Sequence, residues 1–255
     1  MKPHHGQRQR HLATGTDQYE RSAEFVDVML APVWMALDPV LAEALRGAPG
    51  PVVDVGAGGG HGTRVIARAM PQAEIFAVEP SPGLRAVLLA RAGEDPELRE
   101  RVTVLPGDLL RAELPPRLGT LVAMNVIGHF DPAERRAIWQ LLAERLLPGG
   151  RVVLNLQPPA EPVAVPLTRL SELRIGRRRY EGWGRAEPTG PEQVTWHMTY
   201  RVFQDGEPAE EVEVEYAWWV LGHEGLRAEL AEHGLHVSPT GPDGLGLWCV
   251  TRSPE

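Results

Sequence analysis

Three kinds of hydrophobic pattern follow one another along this chain, and each predicts a different layer of structure. From Gln18 to Leu45 apolar residues recur at helical spacing (Phe25, Val28, Met29, Val33, Leu37, Leu41, Leu45), and Pro32 and Pro39 are expected to break the stretch into short helices. Next, short apolar runs alternate with amphipathic ones. PVVDV, EIFAVE, RVTVLPGD, TLVAMNV and PGGRVVLNL read as strands, and HGTRVIARAM, SPGLRAVLLARA and DPAERRAIWQLLAERLL as the helices among them. Apolar strands alternating with helices imply a parallel sheet covered on both faces, an α/β fold.

After Leu156 the period changes again. QPPAEPVAVP is proline-rich and irregular, whereas VTWHMTYRVFQDGEPAEEVEVEYAWWV alternates every second residue on both sides of a turn at Asp205-Gly206. That is the pattern of an antiparallel hairpin, to which RRRYEGWGR is expected to add a third strand. HEGLRAELAEHG returns to helix and ends at Gly234, and LHVSPTGPDGLGLWCV closes the chain as a hairpin. No internal repeat is visible. These breaks divide the chain into a flexible tail (1–17), an N-terminal helical cap (18–48), an α/β core (49–156), an antiparallel lid (157–221) and a C-terminal helix and hairpin (222–255) that completes the core.

Composition narrows the chemistry. A net charge of −8 speaks against non-specific nucleic-acid binding, which needs a basic surface. No uninterrupted apolar run reaches the roughly 18 residues of a membrane span, and the polar, basic start MKPHHGQRQRHLATGTD does not read as a secretory signal. Cys249 is the only cysteine, so no internal disulfide forms, and a reducing, cytoplasmic setting is expected. Lys2 is the only lysine, which leaves none in the folded region for a Schiff base or a phosphate-cradling GK[ST] loop. No metal site stands out: His4 and His5 lie in the tail, and no acidic cluster follows the fourth strand.

The glycine burst VVDVGAGGGHGT (52–63) follows the first core strand and opens a helix. It fails the dinucleotide pattern G-x-G-x-x-G, because the sixth position is His61 or Thr63. What stands there is acid-x-G-x-G-x-G: Asp54, Gly56, Gly58, Gly60. Such a turn brings backbone close to a ligand, and the helix N-terminus behind it favours a negative group, here more in keeping with a carboxylate than a phosphate. Glu79 ends the second strand, where a carboxylate can accept two hydrogen bonds from a ribose diol. Asp108 follows the third strand and can accept from an exocyclic amine such as that of adenine. All three acids fall at carboxyl ends of neighbouring strands, where open α/β sheets bind ligands.

Adenine, ribose and an amino-acid tail together describe S-adenosyl-L-methionine. At these residues the chain resembles the class I S-adenosylmethionine-dependent methyltransferases: DVGAGGG the first motif, VEPS with Glu79 the second, GDL around Asp108 the adenine motif, and LLPGGRVVL the segment before strand five. The resemblance, over roughly residues 18 to 252, implies a Rossmann-like seven-stranded sheet with the lid inserted after strand five. It also implies cofactor contacts at Asp54, Gly56, Gly58, Glu79, Pro80, Asp108, Leu109 and Asn125. MNVIGHF is similar to a loop of amino-sugar N-methyltransferases whose histidine falls at His129, and their N-terminal tyrosine falls at Tyr19. Those enzymes, like glycine N-methyltransferase, carry a lid after strand five.

His129 is therefore the candidate base or substrate-orienting group, against a plain helix-capping or core histidine beside Asp131. Trp196, Met198 and Tyr200 share one face of the lid with Tyr216 and Trp218, either roofing an apolar substrate pocket or merely packing the lid down. Arg174, Arg177, Arg178 and Arg179 either hold an acidic substrate group or form a solvated edge offset by Glu210, Glu211, Glu213 and Glu215. The expected activity is methylation of nitrogen or oxygen on a small molecule, and the alanine-, arginine- and proline-rich composition, which suggests a GC-rich genome, fits secondary metabolism. The alternative is a cyclase or isomerase that keeps the fold and cofactor but moves no methyl. A nicotinamide oxidoreductase is disfavoured by the failed fingerprint, and the resemblance leaves a homodimer open.

Overall fold

The computed structural model describes residues 17–242 and 244–252, so most of the expected tail lies outside the described residues. The core alternates as the sequence pattern requires. β1 (Val52–Val55), β2 (Ile75–Glu79), β3 (Val102–Pro106), β4 (Leu118–Ala123) and β5 (Leu146–Asn155) are joined by helices α2 (His61–Ala69), α3 (Pro82–Glu94), α4 (Pro96–Arg101) and α5 (Pro132–Arg145). A final helix α6 (His223–Ala231) leads to β10 (Leu235–Pro239) and β11 (Leu247–Arg252). The sheet has seven strands in the order β10-β11-β5-β4-β1-β2-β3, with β1 to β5 parallel and β11 antiparallel to β5. β1 and β4 are buried at every residue, which is why their sequences are mostly apolar rather than alternating, with Asp54 and Thr120 as buried polar exceptions.

The lid is a separate antiparallel sheet of four strands, not the three read from the pattern. β7 (Arg178–Gly190), β8 (Gln193–Gln204) and β9 (Glu207–Trp219) correspond to the expected strands, and β6 (Val165–Ile175) is added at the edge. β6 escaped notice because it is largely exposed and its register with β7 shifts twice, so no clean alternation survives. The β8–β9 turn is Asp205-Gly206, both at positive φ (53° and 97°), as a tight hairpin requires.

The prediction of short N-terminal helices is wrong. One helix, α1 (Ala23–Ala44), runs 22 residues with Pro32 and Pro39 inside it. Each proline removes a hydrogen bond at a cost of about 3 kcal/mol. Burial offsets it, because Phe25, Met29, Leu37 and Leu41 are all buried, and fully burying such a side chain contributes about 1.5–3 kcal/mol. The prolines are also seven residues apart, two turns, so both interruptions fall on one side of the helix. By length and mean hydropathy α1 is long and apolar enough to cross a membrane, although its apolar residues form no uninterrupted run. Part of its apolar surface packs on the protein itself: Leu37 and Leu41 join the core under β1, while Phe25 and Met29 join Tyr200 and Val202 beneath the lid, and Val33 and Met35 are exposed.

Candidate active site

The glycine turn sits where β1 gives way to α2. Gly56, Gly58 and Gly60 all have positive φ (59°, 57° and 91°), and only glycine takes such a run without strain. A Cβ on Gly56 would lie 2.4 Å from Val126, whereas beyond Gly58 the space is open. The turn thus packs against the protein at Gly56 and presents bare backbone at Gly58. Asp54 does not face that space freely: it accepts a 2.6 Å hydrogen bond from the Thr63 hydroxyl and so ties the strand to the helix it feeds. Burial, reinforced by the nearby Glu79 carboxylate and opposed by the Thr63 bond, pushes Asp54 up to about 7.

Glu79 is buried at the end of β2 and bridges two loops. One carboxylate oxygen accepts from the Gly58 N–H at 2.7 Å, the other from the Ser81 N–H at 2.8 Å. Each oxygen keeps a lone pair, so a vicinal diol can still be bound. Burial raises the Glu79 carboxyl above its ordinary value, and the two backbone donors hold it back. Asp108 is exposed beyond β3. Leu109, expected at the cofactor, has its side chain buried in the core and can offer a ligand only its backbone. Pro80 is exposed beside Glu79, and its carbonyl, like that of Glu79, accepts from Arg85.

Beyond β4 the chain makes a strained turn. Asn125 has φ +60°, unusual for a non-glycine residue. Asn155 at the end of β5 holds it there: its amide donates to Asn125 Oδ1 at 2.8 Å, and its carbonyl accepts the Asn125 N–H at 2.6 Å. Asn125 Nδ2 is left buried with no partner, a cost of about 1–3 kcal/mol that a ligand acceptor would relieve.

Four residues after Asn125, His129 lies in a short 3₁₀ turn (Ile127–His129). It is not a helix cap: that role belongs to Asp131, which forms a reciprocal capping box with Glu134 at the head of α5. His129 Nε2 is instead 2.7 Å from the Tyr19 hydroxyl, so the two residues named from sequence meet across 110 positions. Trp218 of β9 packs edge-on to the His129 ring, 4.8 Å between centroids. It lies so close over Gly128 that a Cβ there would fall 1.9 Å from the indole. Tyr216 packs 5.3 Å from Tyr19 and bonds Ser22 at 2.5 Å. Asp17 accepts from the Ser81 hydroxyl at 2.9 Å, which anchors the N-terminal segment beside Glu79. Burial lowers the His129 imidazole to about 4 and raises the Tyr19 phenol, so both groups are neutral at pH 7.

The other lid residues separate. Trp196 and Met198 are half-buried on the inner face, where Gly184 leaves room between them and Leu170. Tyr200 is committed to packing, stacked 5.3 Å on Phe25. The arginine cluster is an edge, as the blander reading had it, though with different acids: Arg177 pairs with Asp205, and Arg179 with Glu181 and Glu172. Among the described residues no cluster of His, Cys, Asp or Glu could hold a metal ion. Sequence reasoning missed Ser22, Asp27, Arg91 and Asn155. Only Asp27 left a signal, as an acid within an otherwise apolar helix.

Comparison with known proteins bears on the domain and the fold. Residues 52–150 match the family model described as a methyltransferase domain. The mitochondrial ubiquinone biosynthesis O-methyltransferase of Schizosaccharomyces pombe is 31% identical over 104 residues, which is 41% of this chain and 36% of that protein. The chain thus aligns with about a third of that relative's length. Among solved structures, a SAM-bound amino pentose methyltransferase from Micromonospora echinaspora has 18% identity and a TM-score of 0.68 over 96% of this chain and 100% of that one. A sugar N-methyltransferase from a Streptoalloteichus species has 17% identity and a TM-score of 0.67 over the whole of both chains. The fold, lid included, is the one these proteins share.

Proposed function

We propose that this chain, whose residues 52–150 are a methyltransferase domain, transfers a methyl group from S-adenosyl-L-methionine to the amino nitrogen of a small molecule. The residues present fit that cofactor. Glu79 retains lone pairs for the ribose diol, the open backbone at Gly58 admits the tail, and Asn125 Nδ2 needs an acceptor. Asp108 and the Leu109 backbone would border the adenine. When bound, the cofactor supplies a methyl already activated by its sulfonium.

The reading rests above all on the Tyr19–His129 hydrogen bond, walled by Trp218 and Tyr216. A methyl acceptor must be aimed in line and kept from water. A hydroxyl acceptor would also need a base to take its proton, and an imidazole lowered to about 4 is a poor one. A neutral amine needs none before attack: its lone pair would form the new N–C bond as the methyl–sulfur bond breaks with its electrons going to sulfur, and the proton would be shed afterwards to water. Within the Tyr19–His129 bond the imidazole nitrogen is already engaged, but the Tyr19 oxygen keeps a lone pair that can accept an N–H and so point the amine's lone pair, while His129 holds that oxygen in place. Their role is orientation rather than general base. The amino pentose methyltransferase of calicheamicin biosynthesis and the sugar N-methyltransferase that share the fold favour the same acceptor class and, with it, secondary metabolism.

The test is incubation with methyl-labelled S-adenosylmethionine and a panel of amino sugars and other small amines, the His129→Ala protein alongside. Label is expected on nitrogen, and turnover is expected to fall about a hundredfold in the variant, the scale of a misaimed nucleophile. Label on oxygen or carbon would overturn the choice of acceptor. A compound rearranged without label would establish the non-methylating catalyst instead.

A further inference from the structure

α1 carries a charged contact that the chemistry above does not use. Asp27, only 8% exposed within an apolar helix, makes a two-pronged ion pair with Arg91 of α3, at 2.8 and 2.7 Å. Arg91 also donates to the Gly59 carbonyl in the glycine turn. His61, the first residue of α2, is 3.3 Å from the Asp27 carboxylate. The packing leaves nothing between them: a Cβ on Gly59 would fall 1.9 Å from Asp27 Oδ1. Burial would raise the Asp27 carboxyl, but hydrogen bonds from His61 and Arg91 and the Arg91 charge bring it down to about 2.

Residue spacing gives this clamp a consequence. Asp27 and Trp34, seven apart, lie on one face of α1, and Trp34 stacks on His61 with 6.1 Å between centroids. Phe25 and Met29 lie on the opposite face and pack with Tyr200 and Val202 of the lid. Just before the helix, Ser22 bonds Tyr216 and Tyr19 bonds His129. One helix therefore touches the glycine turn on one side and, with the residues just before it, the acceptor end of the site on the other.

We propose that Asp27 is a positioning residue that couples occupation of the glycine turn to closure of Tyr19 and the lid over the acceptor. This rests on the reading of the turn as the S-adenosylmethionine site. A ligand that fixes Gly58 and Gly59 fixes Arg91 and Asp27 with them, and α1 carries the constraint to Tyr19, Ser22 and the lid strands. Coupling of this kind is reciprocal, so an acceptor that holds Tyr19 tightens the cofactor in turn.

The experiment uses the full chain as wild type, Asp27→Asn and Arg91→Lys, with S-adenosylmethionine as the probe. Binding is followed by calorimetry, and hydrogen exchange is followed in residues 17–31 and 193–219. In the wild type, cofactor should slow exchange in both segments. Asp27→Asn keeps the shape of the side chain but loses the charge. It should weaken binding about tenfold, within the ordinary range of coupling between sites, and abolish the cofactor-dependent slowing in 193–219. Arg91→Lys, which keeps one charged bond, should recover part of it, and it carries the comparison if Asp27→Asn does not fold. Cofactor binding with the same slowing in 193–219 in every variant would overturn the coupling alone. No binding of S-adenosylmethionine by the wild type would overturn the cofactor reading and the coupling with it.

Discussion

His129 shows how burial selects a chemical role. An imidazole of ordinary value would be partly charged near neutrality and able to shuttle protons. Here the ring lies between Tyr19 and Trp218 with no carboxylate bonded to it, and burial lowers it from 6.5 to about 4. The consequence for stability has a definite sign. Because the folded value lies below that of an unfolded histidine, the unfolded chain takes up the proton first. The contribution is whole above about pH 6.5 and is lost as the pH falls through about 4. Two to three units correspond to a few kcal/mol, and the ring's partial exposure reduces that to on the order of 2 kcal/mol. Urea unfolding of wild type and His129→Gln at pH 7 and pH 4.5 should show the wild type losing more stability on acidification. Equal losses in the two proteins would mean the ring is solvated.

Among the elements, α1 and β6 mark the limits of what periodicity reveals. The core strands were legible because parallel strands between helix layers are mostly apolar on both faces, and the glycine turn because its backbone conformation disfavours other residues. α1 was read correctly as apolar and helical but wrongly as interrupted, since a local proline rule was outweighed by burial against two separate layers. β6 was invisible because an exposed, bulged edge strand has no face to pattern. The candidate site was half legible for the same reason. Residues on motifs (Glu79, His129, Tyr19) could be named, while those that hold them (Asn155, Ser22, Arg91) are set by contacts over many tens of residues. The proline reading has a direct check. Pro32→Ala restores one backbone hydrogen bond in α1 at the cost of a less restricted unfolded chain. The net gain should be about 1–2 kcal/mol by thermal or urea unfolding. A destabilised Pro32→Ala would show that the missing hydrogen bond at Pro32 is required for the fit between lid and core.

At the scale of the whole molecule, the sheet is finished by chain that arrives late. β10 and β11 reach β5 only after the lid has been made, and α6 must bring them back across α5. The joint between those helices is polar and buried. Arg135 of α5 is 1% exposed and meets Glu229 of α6, with three hydrogen bonds of 2.7–3.2 Å between the two side chains. Trp139 adds a donor to the same carboxylate at 2.9 Å. Removing one member of such a pair strands the other charge in a dry interior and costs about 3–5 kcal/mol, whereas replacing both by apolar residues is often neutral. Glu229→Ala should therefore destabilise by about that amount, and Arg135→Met with Glu229→Leu should recover most of it. The carboxylate also receives the Trp139 indole, so the double variant leaves one buried donor unpaired and should fall about 1 kcal/mol short of full recovery. Cofactor affinity should be unchanged in every folded variant, because the joint lies on the β5 side of the sheet and the glycine turn lies between β1 and α2. A double variant as unstable as Glu229→Ala would mean that the ion pair stabilises the C-terminal hairpin's return beyond what packing alone can replace.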